Sequence, residues 1–136
     1  MAGAYPFLEA RWCRVTRCII ELRHLPASFR GLAIALISDV QPGPFVPLAY
    51  VRHVVDLTNS LKPDLVLLAG DYVSQHPCFI GPSIETLSRI EGLLGCFKDL
   101  GNHNHWESAP ASRQALEDAE IELGDNTGFW LKRDHS

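Results

Sequence analysis

The stretch Asp-Leu-Val-Leu-Leu-Ala-Gly at residues 64–70, with Asp71 directly after it, decides the predicted fold. Its apolar run is too short for an independent helix, and a run without alternating polar residues is typical of a strand covered on both faces. Residues 32–38 form a similar run, so we expect both segments to be central strands. Residues 15–22 and 95–100 are two further predicted strands, and Lys98 and Asp99 interrupt the second and place it nearer an edge.

Two segments with helical spacing separate these strands. The first begins at Pro47 and ends before Pro63, since the residue that precedes a proline avoids helical geometry. The second begins at Pro82 and is closed by Gly92, with Ile84, Leu87 and Ile90 on one face. A third helix is expected over residues 110–119. Alternating strands and helices predict an α/β fold whose mostly parallel sheet is joined by crossover helices.

Composition excludes several classes of protein. The chain has 136 residues, of which 46% are hydrophobic, and it carries a formal net charge of −4, so a nucleic acid is not the expected partner. The sequence contains no apolar run long enough for a transmembrane segment and no secretory leader, which predicts a cytoplasmic protein with reduced cysteines. Arginines nevertheless crowd the first thirty positions: Arg11, Arg14, Arg17, Arg23 and Arg30. A solvated strand face is the favoured interpretation of these arginines, with contact to an anionic membrane as the alternative.

Polar residues follow three of the predicted strands. Asp39, Asp71 and Asn102 each come just after an apolar run, and neighbouring parallel strands end at one edge of a sheet. Each alone is explained as an ordinary turn residue, but three together favour convergence on one site. Carboxylate and amide oxygens with a nearby histidine suit Mn²⁺, Fe²⁺ or Mg²⁺, and also Zn²⁺ once an imidazole contributes.

The ordered motifs Asp39-x-Gln41, Gly70-Asp71 and Gly101-Asn102-His103 resemble those of the calcineurin-like metallophosphoesterases. The text "LKPDLVLLAGDYVS" and "LGNHNHW" is similar to the branch that includes diacylglucosamine pyrophosphatase-like proteins. The resemblance covers about residues 15–126 and only the N-terminal half of the family domain. It implies the first half of a four-layer α/β/β/α sandwich, which makes residues 1–136 a single, apparently truncated domain.

The resemblance also implies a two-metal phosphoesterase that acts on a phosphorylated small molecule, lipid or nucleotide. By this similarity Asp39 binds one metal, Asp71 bridges both and Asn102 binds the other. His103 is the implied catalytic residue, which hydrogen-bonds the substrate or protonates the leaving oxygen. Asn104 and His105 are expected beside the site rather than as direct metal ligands.

Two positions depart from the family pattern. Gln41 stands where the family has a histidine, and a neutral amide is a poorer ligand for these metals than imidazole. Asn104 stands where the family has a carboxylate, so it cannot stabilise a cationic His103 by charge. The later histidine motifs of the family have no counterpart in this sequence. We therefore expect weak metal binding and an incomplete enzyme with activity at or near background.

An incomplete domain of this kind should leave one apolar face of its sheet bare, which favours self-association through that face. The alternative function is therefore a non-catalytic, degenerate remnant that acts as a binding or assembly module. A nucleotide-binding α/β module ranks last, because Pro42-Gly43-Pro44 after the first central strand is too stiff for a phosphate-binding loop and donates too few amides.

Overall fold

The computed structural model describes residues 13–40, 42–43, 46–71, 77–99, 122–123 and 128–133. These residues form a four-stranded sheet and two α-helices. The strands are β1 (Ile34–Ile37), β2 (Leu65–Ala69), β3 (Cys96–Asp99) and β4 (Glu122–Leu123), and the helices are α1 (Leu48–Ser60) and α2 (Ile80–Leu87). The strand order is β1-β2-β3-β4, and all three pairings are parallel. The predicted α/β class with a parallel sheet and crossover helices is confirmed.

Strand register divides the sheet into two faces. Ile37 pairs with Leu68, and Leu68 pairs with Lys98, so these three side chains share a face. This face packs against the apolar sides of the helices and forms the core, whose members include Val66, Leu68, Val51, Val55, Ile84 and Leu87. Burial of these aliphatic side chains is the main favourable contribution to folding.

The opposite face of the sheet is open at β1. Ile34 is 52% exposed and Leu36 is 69% exposed, although both are apolar strand residues. This agrees with the expectation that the chain alone leaves one apolar sheet face bare. The prediction that residues 32–38 form a central strand is wrong for the described sheet, because β1 lies at its edge. An apolar run shows that the side chains of a strand are hydrophobic, but it does not show how many other strands pair with it.

The helices begin and end close to the predicted positions, with one correction. α1 follows Pro47 and ends before Pro63, as predicted. α2 begins before Pro82 and ends at Leu87, so Ile90 and Gly92 lie outside it. The amide of Ile90 bonds to the carbonyl of Leu87 at 3.1 Å, a tighter turn than an α-helix makes. Ile90 is buried nonetheless, which explains why it fitted the helical pattern.

Residues 15–22 form no strand, which corrects the prediction for this segment. They have irregular structure, and Ile19 is 94% exposed while its neighbour Ile20 is 75% exposed. A strand requires hydrogen bonds to a neighbouring strand, and none joins this segment to the sheet in the described part of the chain. The apolar composition of residues 15–22 favours a strand, but a strand forms only where a neighbouring strand pairs with it.

The position of β3 also differs from the prediction. Lys98 suggested an edge strand, yet β3 lies inside the sheet between β2 and β4, and Lys98 is only 2% exposed. β4 has two residues and was not predicted, since so short a strand carries no periodic signal. The helix predicted over residues 110–119 lies outside the described residues.

A polar contact fastens the amino end of the sheet. The carboxylate of Asp64, just before β2, accepts a hydrogen bond from the amide of Ala33 at 2.8 Å. Its other oxygen lies 3.5 Å from the guanidinium of Arg133, in the last described segment. In the same segment, the ring of Phe129 packs on Phe97 with centroids 4.6 Å apart. These contacts tie residues 128–133 to the end of the sheet that lies away from Asp39 and Asp71.

Candidate metal centre

Asp39 and Asp71 occupy equivalent positions at the carboxyl edge of the sheet. Each lies two residues beyond the end of its strand, Asp39 after β1 and Asp71 after β2. The amide of Asp39 donates a hydrogen bond to the carbonyl oxygen of Gly70 at 3.3 Å, which extends the pairing of the two strands past their ends. Since adjacent strands lie about 4.8 Å apart, the two aspartates are near neighbours. The backbone of both aspartates therefore lies at one edge of the sheet, while the convergence of their side chains on one site stays a prediction.

The backbone turns in the same way at both aspartates. Asp39 and Asp71 each have a φ of 56°, and Gly70, which directly precedes Asp71, has a φ of 85°. Left-handed backbone is uncommon outside glycine, and aspartate is one of the residues that tolerate it best. The chain therefore leaves the sheet sharply after each strand, with a carboxylate at each turn.

The residue that follows Asp39 packs into the core and so fixes the position of Asp39. The next residue, Val40, is buried and belongs to the hydrophobic core, whereas Asp39 is exposed. Asp71 is half-buried and follows the buried Gly70. After Val40 the chain turns back through a hydrogen bond from the Gly43 amide to the Val46 carbonyl at 2.9 Å, and α1 then begins. Both aspartates thus lie next to buried residues, directly after the strands β1 and β2.

The other predicted site residues lie outside the described part of the chain. These are Gln41, Asn102, His103, Asn104 and His105. Within the described residues, no group of three or more His, Cys, Asp and Glu side chains is arranged to hold a metal ion. The assignment of metal and catalytic roles to all seven residues therefore stays a prediction. Asp39 and Asp71 nonetheless have carboxylate oxygens, which are donors of the kind that hard divalent cations prefer, so the types of residue at this edge fit such a metal.

Lys98 is an unusual feature that the sequence did not reveal. Its side chain is buried on the helix-covered face of β3, and its Nζ has no hydrogen-bond partner among the described groups. Burial lowers the pKa of Lys98 to about 8, and the nearby Cys96 opposes this shift. Burial also raises the pKa of the Cys96 thiol, an effect that Lys98 counteracts. A lysine within an apolar run predicts an exposed position. Only the residues packed around Lys98 in the structure reveal that it is buried.

Membrane-spanning helices are absent from the described segments: neither α1 nor α2 has the length and apolar character that a bilayer requires. All four cysteines, at positions 13, 18, 78 and 96, are free thiols.

Comparison with known proteins gives relatives of one kind. No protein-family model matches the chain, and no solved structure matches it. The zebrafish protein named "Transmembrane protein with metallophosphoesterase domain" is 31% identical over 87 residues, which cover 64% of this chain and 20% of the relative. The Chlamydia trachomatis protein named "UDP-2,3-diacylglucosamine pyrophosphatase LpxG" is 33% identical over 105 residues, which cover 72% of this chain and 30% of the relative.

A third relative, from Aquifex aeolicus, is named an uncharacterized metallophosphoesterase. It is 31% identical over 108 residues, which cover 78% of this chain and 40% of the relative. The chain thus spans between a fifth and two fifths of the length of these three relatives. The Chlamydia relative is named a diacylglucosamine pyrophosphatase, and the motifs of this chain resemble the branch that includes such proteins. From its sequence similarity to these relatives, this chain belongs to the metallophosphoesterases.

Proposed function

We propose that this chain forms part of a two-metal phosphoesterase centre that hydrolyses a phosphate ester or a pyrophosphate. The observation that carries the proposal is the place of Asp39 and Asp71 at one edge of the sheet, which is supported by the hydrogen bond from the amide of Asp39 to the carbonyl of Gly70. Two carboxylates on neighbouring strand ends supply oxygen donors of the kind that Mn²⁺, Fe²⁺, Zn²⁺ and Mg²⁺ accept. The names of the relatives support the same chemistry.

Each residue of the proposed centre has a separate task. Asp39 would hold one cation and Asp71 would lie between both, while Asn102 would hold the second. When bound, such cations polarise a phosphoryl oxygen and make water a better nucleophile at neutral pH. His103 would donate a hydrogen bond or a proton to the substrate. Gln41 weakens this set, because its amide replaces an imidazole ligand.

The substrate proposed is a phosphorylated small molecule, with lipid-linked and nucleotide-linked phosphates as the main classes. The name of the Chlamydia relative, a UDP-2,3-diacylglucosamine pyrophosphatase, supports a substrate that combines both features. A cytoplasmic setting is part of the proposal, supported by the free cysteines, since exported proteins of this size commonly oxidise theirs.

A second candidate function is a non-catalytic binding or assembly module. Two observations favour it: the amide Gln41 at a ligand position of the family, and the open apolar face at Ile34 and Leu36. Such a module would keep the fold and the aspartate pair while it associates through the sheet face.

Hydrolysis of a generic aryl phosphate with Mn²⁺ distinguishes the two candidates. The assay compares the unmodified chain with Gln41→His and Asp71→Ala, and Asp56→Ala on the exposed side of α1 serves as a matched control. Because Gln41 weakens one metal position and Asn104 weakens the acid, we expect this chain on its own to give a rate near the uncatalysed background, with no rescue by Gln41→His alone. That result would favour the second candidate for this chain on its own, while the phosphoesterase proposal concerns the centre of which the chain forms part. A clear Mn²⁺-dependent rate that Asp71→Ala abolishes and Asp56→Ala keeps would establish the enzyme. Equal background rates in all variants would support the non-catalytic module.

A further inference from the structure

Residues 14–23 combine positive charge with exposed aliphatic side chains. Arg14, Arg17 and Arg23 are exposed, and so are Ile19 and Ile20 between them. The segment has no regular secondary structure, and within the described part of the chain it makes no side-chain hydrogen bond to another element. For the remainder of this subsection we name residues 14–23 the cationic segment.

The charge of the cationic segment is opposite to that of the whole protein. It carries three arginines against Glu21 alone, while the complete chain has a formal net charge of −4. None of the three guanidinium groups forms an ion pair with a described carboxylate. Unpaired arginines grouped in this way create a local positive potential that attracts an anionic surface even when the protein as a whole is acidic.

The aliphatic side chains decide which anionic surface fits. Ile19 is 94% exposed, Ile20 is 75% exposed and Leu22 is also exposed, so these three large aliphatic groups of one short segment face solvent. A nucleic acid offers phosphates to the arginines, but proteins recognise unpaired bases by stacking on aromatic or guanidinium planes, for which isoleucine and leucine are unsuited. A bilayer offers both lipid phosphates and an apolar region directly beneath them.

We propose that the cationic segment binds the surface of an anionic lipid bilayer. The arginines contact lipid phosphates, and Ile19, Ile20 and Leu22 enter the boundary between headgroups and acyl chains. Binding of this kind is peripheral and reversible, and it does not depend on a transmembrane helix. It is independent of the proposed hydrolytic function, because the segment shares no described contact with Asp39 or Asp71.

Vesicle sedimentation with the full chain tests the charge requirement. We expect the chain to bind vesicles of phosphatidylcholine that contain about one third phosphatidylglycerol. Binding to vesicles of phosphatidylcholine alone should be weak. Each arginine near an anionic surface contributes about a fivefold gain in partitioning, so Arg14→Glu/Arg17→Glu/Arg23→Glu should lower it by tenfold or more. Arg52→Glu/Lys62→Glu/Arg89→Glu changes the net charge equally at exposed positions elsewhere and should lower it by less than about threefold.

A second pair of variants tests insertion without a change of charge. Ile19→Ser/Ile20→Ser should weaken binding to the anionic vesicles by tenfold or more, because it removes two exposed aliphatic groups. Leu61→Ser/Leu93→Ser removes two exposed leucines outside the cationic segment and should leave binding nearly unchanged. Circular dichroism of every variant verifies that the fold is retained, and all ten substitutions lie at exposed positions, where large losses of stability are unusual.

Three results would overturn the proposal. Equal binding to neutral and anionic vesicles would assign membrane contact to the open sheet face instead. Loss of binding in the control variants to the same extent would show that net charge or general hydrophobicity is responsible. Loss of self-association in Ile19→Ser/Ile20→Ser, measured by analytical ultracentrifugation without lipid, together with unchanged vesicle binding, would show that a second copy of the chain covers the segment.

Discussion

The amide of Asp39 donates a hydrogen bond to the carbonyl oxygen of Gly70, 3.3 Å away, one residue before Asp71. This bond continues the parallel pairing of β1 and β2 beyond the last paired residues and brings both aspartates to the same stretch of the sheet edge. Both aspartates have the same left-handed backbone conformation. The place of both aspartates at this edge therefore follows from strand register.

Gly92 should be the least replaceable glycine among the described turns. A Cβ at this position would lie 2.6 Å from the carbonyl oxygen of Gly95 and 3.3 Å from the amide of Val66, which are hydrogen-bonded to each other. Because both contacts are backbone atoms, Gly92→Ala should lower the free energy of unfolding by about 1–3 kcal/mol. Gly81→Ala in α2 meets open space and should raise it by up to about 1 kcal/mol. Urea denaturation measures both, and equal effects would contradict the geometry of this turn.

Lys98→Met should stabilise the protein at neutral pH. Burial lowers the pKa of Lys98 to about 8 from its ordinary 10.5, so folding at pH 7 keeps a buried charge that the unfolded chain would solvate. The substitution should raise the free energy of unfolding by about 3 kcal/mol at pH 7. Lys132→Met, at an exposed position, is the control and should change it by less than about 0.5 kcal/mol.

The pH dependence of stability follows from the same lysine. Between pH 8 and 10.5 the unfolded chain binds more protons at Lys98 than the folded chain does, so stability rises with pH in this window. Cys96 acts in the opposite sense above pH 9, because burial raises the pKa of its thiol and the unfolded chain loses that proton first. Lys98→Met should remove the rise and leave the fall. A rise that persists in Lys98→Met would assign it to another group.

The open sheet face should make the chain self-associate. Leu36 is 69% exposed on the face that carries no described helix, and Leu36→Glu places a charge on the open part of this face. We expect sedimentation velocity to show concentration-dependent association for the unmodified chain and a larger monomer fraction for Leu36→Glu. Leu93→Glu is the control, since Leu93 is 82% exposed in the turn before β3. An unmodified chain that stays monomeric at high concentration would contradict this prediction.

The sequence predicted those features that local patterns control. The apolar run of β2 and the spacing of α1 were sufficient to place both, and the rule that parallel strands end at one edge brought Asp39 and Asp71 together. It failed where pairing partners decide the outcome. The segment around Ile19 has a strand-like composition but pairs with no strand among the described residues, whereas Lys98 lies in the core because β4 and the helices enclose β3. No short window of sequence carries that information.

Binding of Mn²⁺, followed by electron paramagnetic resonance of the free ion, tests the central claim most directly. We expect the unmodified chain to bind fewer than two ions per protein and to bind them weakly, since Gln41 replaces an imidazole ligand. Asp39→Asn/Asp71→Asn should abolish this binding, while Asp56→Asn/Glu85→Gln, at exposed helix positions, should leave it unchanged. Binding that survives in Asp39→Asn/Asp71→Asn, or two tightly held ions in the unmodified chain, would contradict the account.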